Sequence, residues 1–337
     1  MRSAVARRDL IVRQWSVPAI SDSTRLALGF AFLAALTAGL VAAMAHRGIA
    51  EPWSDFSQLA IGARALAMER NPYTSVITPA GMPLVYPLPA VMVALPLAWL
   101  PTVWADSLWA AFGVGVLAYA HARSGRIERP AVLAFCSAAI AQCVLTGQWS
   151  AILLGAMLLS GETGWGSLLA CKPTNAIWLF VTRPSWRAWH WIWTAIALSV
   201  MVRPMWPLEW WAATRAVMSY AVTPALLPFG FVVVLVCASR WRRPEARLLL
   251  FMMLVPHTTF VYETLPLLYL VPTTWRQGWL LCASSWLCYA AICLFVPHST
   301  PVAEAVHLGG LLSMAGIYLP CALLILRRPN LAERNNG

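Results

Sequence analysis

Few residues in this 337-residue chain can do chemistry, and each of them has two readings. Asp55 follows closely on the first long apolar run. A carboxylate there can cap a helix start, because orphan amides and the helix dipole favour negative charge. It can also serve as a general base at a membrane–water boundary, ionised yet facing a lipid-borne substrate. Lys172 is the chain's one lysine and lies inside an apolar run. A charge at that depth is costly, so it either has a function or snorkels to the interface beside a helix break at Pro173. His257, Tyr262 and Glu263 share a polar break between two apolar runs. His257 there either bonds backbone or orients an anionic group, and Glu263 can bind substrate hydroxyls. Arg64, Arg203 and Arg215, with Arg123, Arg126 and Arg129 if they share that side, offer planar two-pronged donors for phosphate. Their plainer reading is a charge facing lipid headgroups. Asp106 reads as structural.

The elements that position these residues are membrane helices. Hydrophobic residues make up 60% of the chain and charged residues only 11%, with a mean hydropathy of +0.67. Soluble domains carry roughly a quarter charged residues, so a soluble globular protein is excluded, and so is disorder. Long unbroken apolar runs favour helices over barrel strands. The net charge of +11 sits in short loops between those runs, which writes topology and predicts no nucleic-acid partner. The eight cysteines, all in apolar stretches, read as small buried hydrophobes without disulfides. Many of the 19 tryptophans fall at span ends, as interfacial belts do.

Residues 1–25 form a basic leader expected in the cytoplasm, and 26–45 reads as a retained first span. Apolar segments follow near 86–100, 102–121, 131–145, 149–160, 165–181, 189–202, 222–238, 247–256, 264–272, 278–296 and 306–326. The expectation is an all-α polytopic protein of about twelve spans. Residues 26–326 form one membrane domain, 46–85 an outer-face loop and 327–337 a cytoplasmic tail. Several segments are shorter than the roughly 20 residues of a straight crossing, so tilted, broken or re-entrant helices are expected among them. The loop should carry an amphipathic interfacial helix from Trp53 onward, ended by Asn71-Pro72. Counting spans places Arg183, Arg187, Arg240–Arg247 and Arg327–Arg334 inside, but Arg123, Arg126 and Arg129 outside. Either those three arginines have work there, or one segment within 86–160 does not cross.

The order of several short runs is familiar. Ser54-Asp55-Phe56, Ala63-Arg64-Ala65-Leu66, Asn71-Pro72-Tyr73 and Tyr86-Pro87-Leu88-Pro89 lead into Leu95–Pro101. Gly147-Gln148-Trp149 and Leu169-Ala170-Cys171-Lys172-Pro173 follow. Over residues 54 to about 180 the chain resembles glycosyltransferase family 87, polyprenol-phosphate-mannose-dependent mannosyltransferases related to the glycosyltransferase-C superfamily. The resemblance implies a multi-span enzyme of the bacterial plasma membrane with its active site on the extracytoplasmic face. It makes Asp55 the base for an inverting transfer of a sugar, mannose first, from a polyprenyl-phosphate donor to a glycolipid, glycan or protein acceptor. Arg64, Tyr86, Lys172, His257, Tyr262 and Glu263 become candidates for binding the donor phosphate or substrate. No metal and no cofactor is implied. The family's later patch carries a tryptophan and histidines where this chain has Thr259 and Val261-Tyr262, so the match at His257 is loose.

Other chemistries lack their residues: there is no phosphate-cradling glycine loop, no paired-cysteine metal site and no His-Glu-x-x-His. A transporter or flippase is the main alternative, and it would show repeats and midplane charge. A non-catalytic envelope-assembly scaffold is another.

Overall fold

In the computed structural model, residues 22–47, 54–78, 81–124, 129–161, 164–297 and 300–330 are described. The basic leader up to residue 21, Trp53, Arg126 and Arg334 lie outside them. The described residues are helical throughout, with only two isolated β-bridges, Ile77–Pro83 and Val222–His257.

The first helices are α1 (Asp22–His46), α2 (Asp55–Ala67), α3 (Pro72–Ser75), α4 (Leu88–Ala94) and α5 (Thr102–Arg123). Then come α6 (Ala138–Thr146), α7 (Ser150–Leu159), α8 (Pro173–Thr182), α9 (Trp186–Val202) and α10 (Trp206–Val217). The last are α11 (Gly230–Ser239), α12 (Pro244–Leu254), α13 (Leu265–Leu270), α14 (Trp275–Phe295), α15 (Val302–Ser313) and α16 (Leu319–Leu326). A π-turn, Met314–Tyr318, joins α15 to α16 so that Val302–Leu326 runs as one apolar rod.

Among the described residues, four helices are long and apolar enough to cross a membrane: α1, α5, α14 and the α15–α16 rod. The pair α6 and α7 makes a fifth if its 111° bend is one broken or re-entrant span. The sequence reading of about twelve spans counted every apolar run. Many of those runs are instead short helices. α7, α8 and α12 have 10, 10 and 11 residues. At the α-helical rise that is about 15 Å, half of a ~30 Å hydrocarbon layer. The run 165–181 is broken in the same way: a 3₁₀ turn over Trp165–Cys171 ends at Lys172, and Pro173 starts α8.

α1 and α5 pack against each other through small residues. A side chain on Gly39 would touch Ala111, and one on Gly115 would touch Ala35. The outward face of α1 is apolar and open, with Leu26, Phe32, Leu33 and Met44 exposed, as is that of α14 with Leu287 and Leu294. Large apolar faces left bare on long helices suit lipid contact. Six cysteines are buried, whereas Cys136 and Cys293 are exposed, and all eight are free thiols.

The expected interfacial helix forms as α2, but most of it is enclosed. Phe56, Leu59, Gly62 and Ala63 are buried, and so are the polar Ser57 and Gln58. Asn71 then caps α3 through its side chain, with Pro72 at the first helical position.

Candidate functional site

Ser54, not Asp55, is the N-cap of α2. Its hydroxyl accepts from the Ser57 amide at 3.1 Å, and the Ser57 hydroxyl accepts from the Ser54 amide, a reciprocal capping box. The Ser54 hydroxyl also donates to Asp106 Oδ1 at 2.7 Å, and His46 Nδ1 lies 3.3 Å from Asp106 Oδ2. Asp106 therefore ties the start of α2 to α5 and the end of α1, as its structural reading expects. Capping by Ser54 releases Asp55, at the first helical position, for other contacts.

Those contacts are unequal. Asp55 Oδ2 accepts from the Tyr86 hydroxyl at 2.8 Å and from Gln148 Nε2 at 2.6 Å. Among the described residues, Oδ1 accepts only from Gln58 Nε2, at 3.3 Å. Asp55 is half-buried, with Tyr86 and Gln148 buried around it. One oxygen is thus loaded with two strong donors while the other keeps free lone pairs.

Gln148 reaches Asp55 because the α6–α7 pair turns there. Gly147 ends α6 with φ +67°, and a Cβ at that position would lie 3.1 Å from the Phe56 amide and the Ser54 hydroxyl. Only glycine fits both the backbone and the gap. The Trp109 indole donates to the Gly147 carbonyl at 3.0 Å, stacks on Phe56 and meets Trp149 edge-on. The bend is pinned against the start of α2.

A second group stands beside the first. Glu263 is buried and accepts from Lys172 Nζ at 2.9 Å, from Asn175 Nδ2 at 2.5 Å and from the Thr258 hydroxyl at 3.4 Å. Lys172 also lies 5.1 Å from the centre of the Tyr262 ring, and the Tyr262 hydroxyl pairs with Thr258 at 3.0 Å. The Gln142 side chain of α6 holds the Tyr262 amide at 2.9 Å. The two groups feel each other: burial first, then the charges of both Asp55 and Glu263, push the Tyr86 and Tyr262 hydroxyls well above the usual tyrosine range. Burial also works against the Glu263 charge, but Lys172, His257 and the bond from Asn175 outweigh it and hold this carboxyl below its ordinary value.

Three helices of ten residues or more begin at this cluster, α2 at Asp55, α7 after Gln148-Trp149 and α8 after Lys172. Helix N-termini favour negative charge, and here they face the Asp55 and Glu263 carboxylates, of which Lys172 pairs with Glu263.

The remaining sequence candidates are placed elsewhere. His257 is buried behind the cluster, edge-on to Trp178, with both ring nitrogens engaged. Nδ1–H donates to the Val255 carbonyl at 2.8 Å, which leaves Nε2 to accept from the Tyr318 hydroxyl at 3.1 Å. Burial holds it below its usual pKa, partly opposed by the nearby Glu263 charge. Arg64 is nine residues after Asp55, two and a half helical turns, and so lies on the opposite flank of α2. Arg203 makes a two-pronged pair with Glu209, both bonds 2.6 Å, and Asn71 adds a third bond to Glu209 at 3.1 Å. Arg215 lies in the last turn of α10. Gln148 stands in the Gly147-Gln148-Trp149 run but is not singled out there as a site residue, and Asn175, Thr258 and Gln142 carry no sequence signal beyond being polar in apolar surroundings. Among the described residues no three His, Cys, Asp or Glu side chains converge as metal ligands.

An apolar groove of about 270 Å³ opens next to the cluster, between α4 and α9. Pro89, Met92, Cys171, Trp191 and Leu198 are among its walls. Cys171 precedes Lys172 and Pro89 follows Tyr86 by three residues in sequence, while the polar side chains of the cluster are not among the groove's walls.

Compared with protein-family models, with curated proteins and with solved structures, the chain has no match.

Proposed function

We propose that this chain is a membrane glycosyltransferase that moves a sugar from a polyprenyl-phosphate donor to an acceptor hydroxyl, with Asp55 as the general base. The observation that carries the reading is the asymmetry of Asp55. Tyr86 and Gln148 fix Oδ2, and Oδ1 is left to take a proton. The acceptor oxygen would bond to the anomeric carbon as its proton passes to Oδ1. The bond from that carbon to the phosphate oxygen would break, and the lipid phosphate would leave with the electron pair. One displacement inverts the anomeric carbon. Lys172 and the starts of α2, α7 and α8 would favour the negative charge growing on the phosphate. The groove beside Cys171 suits a prenyl chain by its apolar walls.

Mannose as the sugar, and a glycolipid, glycan or protein acceptor, rest on the resemblance to family 87. The same reading puts the protein in a bacterial plasma membrane with the cluster towards the extracytoplasmic side, since the arginine-rich end should face the cytoplasm.

The decisive experiment is transfer from a labelled polyprenyl-phosphate sugar by the purified chain, wild type against Asp55→Asn. Loss of a general base should lower the rate about 10²–10⁴-fold with the fold intact. A second reading, a transporter or flippase, draws on one observation: a buried Lys172–Glu263 pair reached by half-length helices, as at transporter midplanes. Solute movement without sugar transfer would favour it. A chain inactive in both assays would be a scaffold.

A further inference from the structure

The far ends of α7, α8 and α12 meet a layer of arginines whose guanidinium groups bond mainly to backbone carbonyls. Arg183 and Arg187 donate to the carbonyls of Leu158 and Gly161 at the end of α7, at 3.3 and 2.7 Å. Arg247 donates to Val181 and Thr182 at the end of α8, at 3.0 and 3.1 Å. Arg240 reaches the carbonyls of Leu326 and Arg328 at the end of α16, and Arg243 reaches that of Pro329. Arg328 donates to the Val271 carbonyl at 2.5 Å and to Gln277 at 3.1 Å.

Carbonyls cap helix ends but do not cancel charge. Among the described residues, the carboxylate that meets these arginines is Glu245, shared by Arg243 at 3.2 Å and Arg328 at 3.1 Å. The layer therefore keeps a large positive excess at one level of the bundle. Trp186, Trp241 and Trp275, all exposed, stand at the same level, as interfacial tryptophans do.

We propose that this arginine layer is a seat for anionic lipid headgroups, and that their phosphates clamp the helix ends which the arginines already cap. The occupant follows from the charge excess and from the tryptophans beside it, which mark a headgroup level. The seat is independent of the transferase reading.

The test uses the purified full chain in nanodiscs of phosphatidylcholine, with and without phosphatidylglycerol. Anionic lipid should raise the melting midpoint by about 5 °C. Arg276 and Arg327 are exposed, so R276Q/R327Q removes charge without uncapping a helix, and it should lose roughly half of that gain. Native mass spectrometry should show phosphatidylglycerol retained on the wild type and fewer copies on the variant. Equal midpoints in the two discs would overturn the proposal, as would a gain that the variant keeps in full. So would an equal gain from inorganic phosphate in detergent, which would mean a free-anion site. Stabilisation by soluble polyglutamate but not by the lipid would instead mean an acidic protein partner, and the lipid seat would be wrong.

Discussion

The two ends of the short helices α7, α8 and α12 use charge in opposite ways. At one end Lys172 and Glu263 are buried against each other, and every polar neighbour faces inward. At the other end the arginines turn to carbonyls and keep much of their charge exposed. The first arrangement is expensive and specific, because a buried ion pair is held only by its own geometry. The second is cheap and redundant, since each helix end has several possible donors and water or headgroups nearby. A site that must recognise a charged ligand belongs at the first end, and a surface that fixes the molecule in a bilayer belongs at the second.

The sharpest way to break that contrast is to remove one charge from each end. Lys172→Met leaves the Glu263 carboxylate buried and unpaired, which should cost about 3–5 kcal/mol. The double change with Glu263→Gln should recover most of it. Arg243→Gln removes one capping bond and should cost about 1 kcal/mol. Chemical unfolding of the three variants in one detergent gives the comparison. Equal losses for Lys172→Met and Arg243→Gln would mean that the two ends are not energetically different.

Acid should act on the first end. Glu263 is held below its ordinary value, so its contribution is present above the unfolded carboxylate range and is lost as pH falls through the lowered folded value. His257 is also lowered, so below about pH 6.5 the unfolded chain takes up a proton that the folded chain refuses. Both signs agree: the melting midpoint should fall on acidification from pH 7 to 3, through His257 below about pH 6.5 and through Glu263 only below the ordinary carboxylate range. His257→Gln should flatten the upper part of that fall, and a profile unchanged in the variant would remove His257 from the account.

How far the sequence reaches differs between the two ends as well. The arginine end is legible, because short basic loops between apolar runs have one common physical meaning. Its exception is Arg123, Arg126 and Arg129, which counting spans puts on the other side; the 111° bend of the α6–α7 pair lies in the stretch where the sequence allows one segment not to cross. The site end is legible only in part. Asp55 and Tyr86 stand in recognisable runs and do meet, as do Lys172 and Glu263. Gln148, Asn175 and the capping role of Ser54 depend on a bend, a helix break and a contact across 52 residues, none of which leaves a periodic trace. The twelve-span expectation is matched only to four or five long apolar helices among the described residues, since a run of ten apolar residues reads alike in sequence whether it belongs to a long helix or a short one.

Arg64 and Gln148 turn that difference into the smallest and most discriminating prediction. By sequence both stand in recognisable runs, but Arg64 is the better candidate because it is a cation suited to phosphate, while Gln148 is a neutral amide. By structure the order reverses, since Arg64 lies on the flank of α2 away from Asp55 and Gln148 holds the loaded oxygen at 2.6 Å. Gln148→Ala should reduce sugar transfer on the order of 10- to 100-fold through loss of alignment, with donor binding little changed. Gln148→Glu would face the Asp55 carboxylate with a like charge and should shift the pH profile of transfer upward. Arg64→Gln should leave transfer within about two-fold and stability within about 0.5 kcal/mol, as surface changes do. If Arg64→Gln were the more damaging of the two, the phosphate would be bound on the far flank of α2, and the cluster around Asp55 would not be where the reaction occurs.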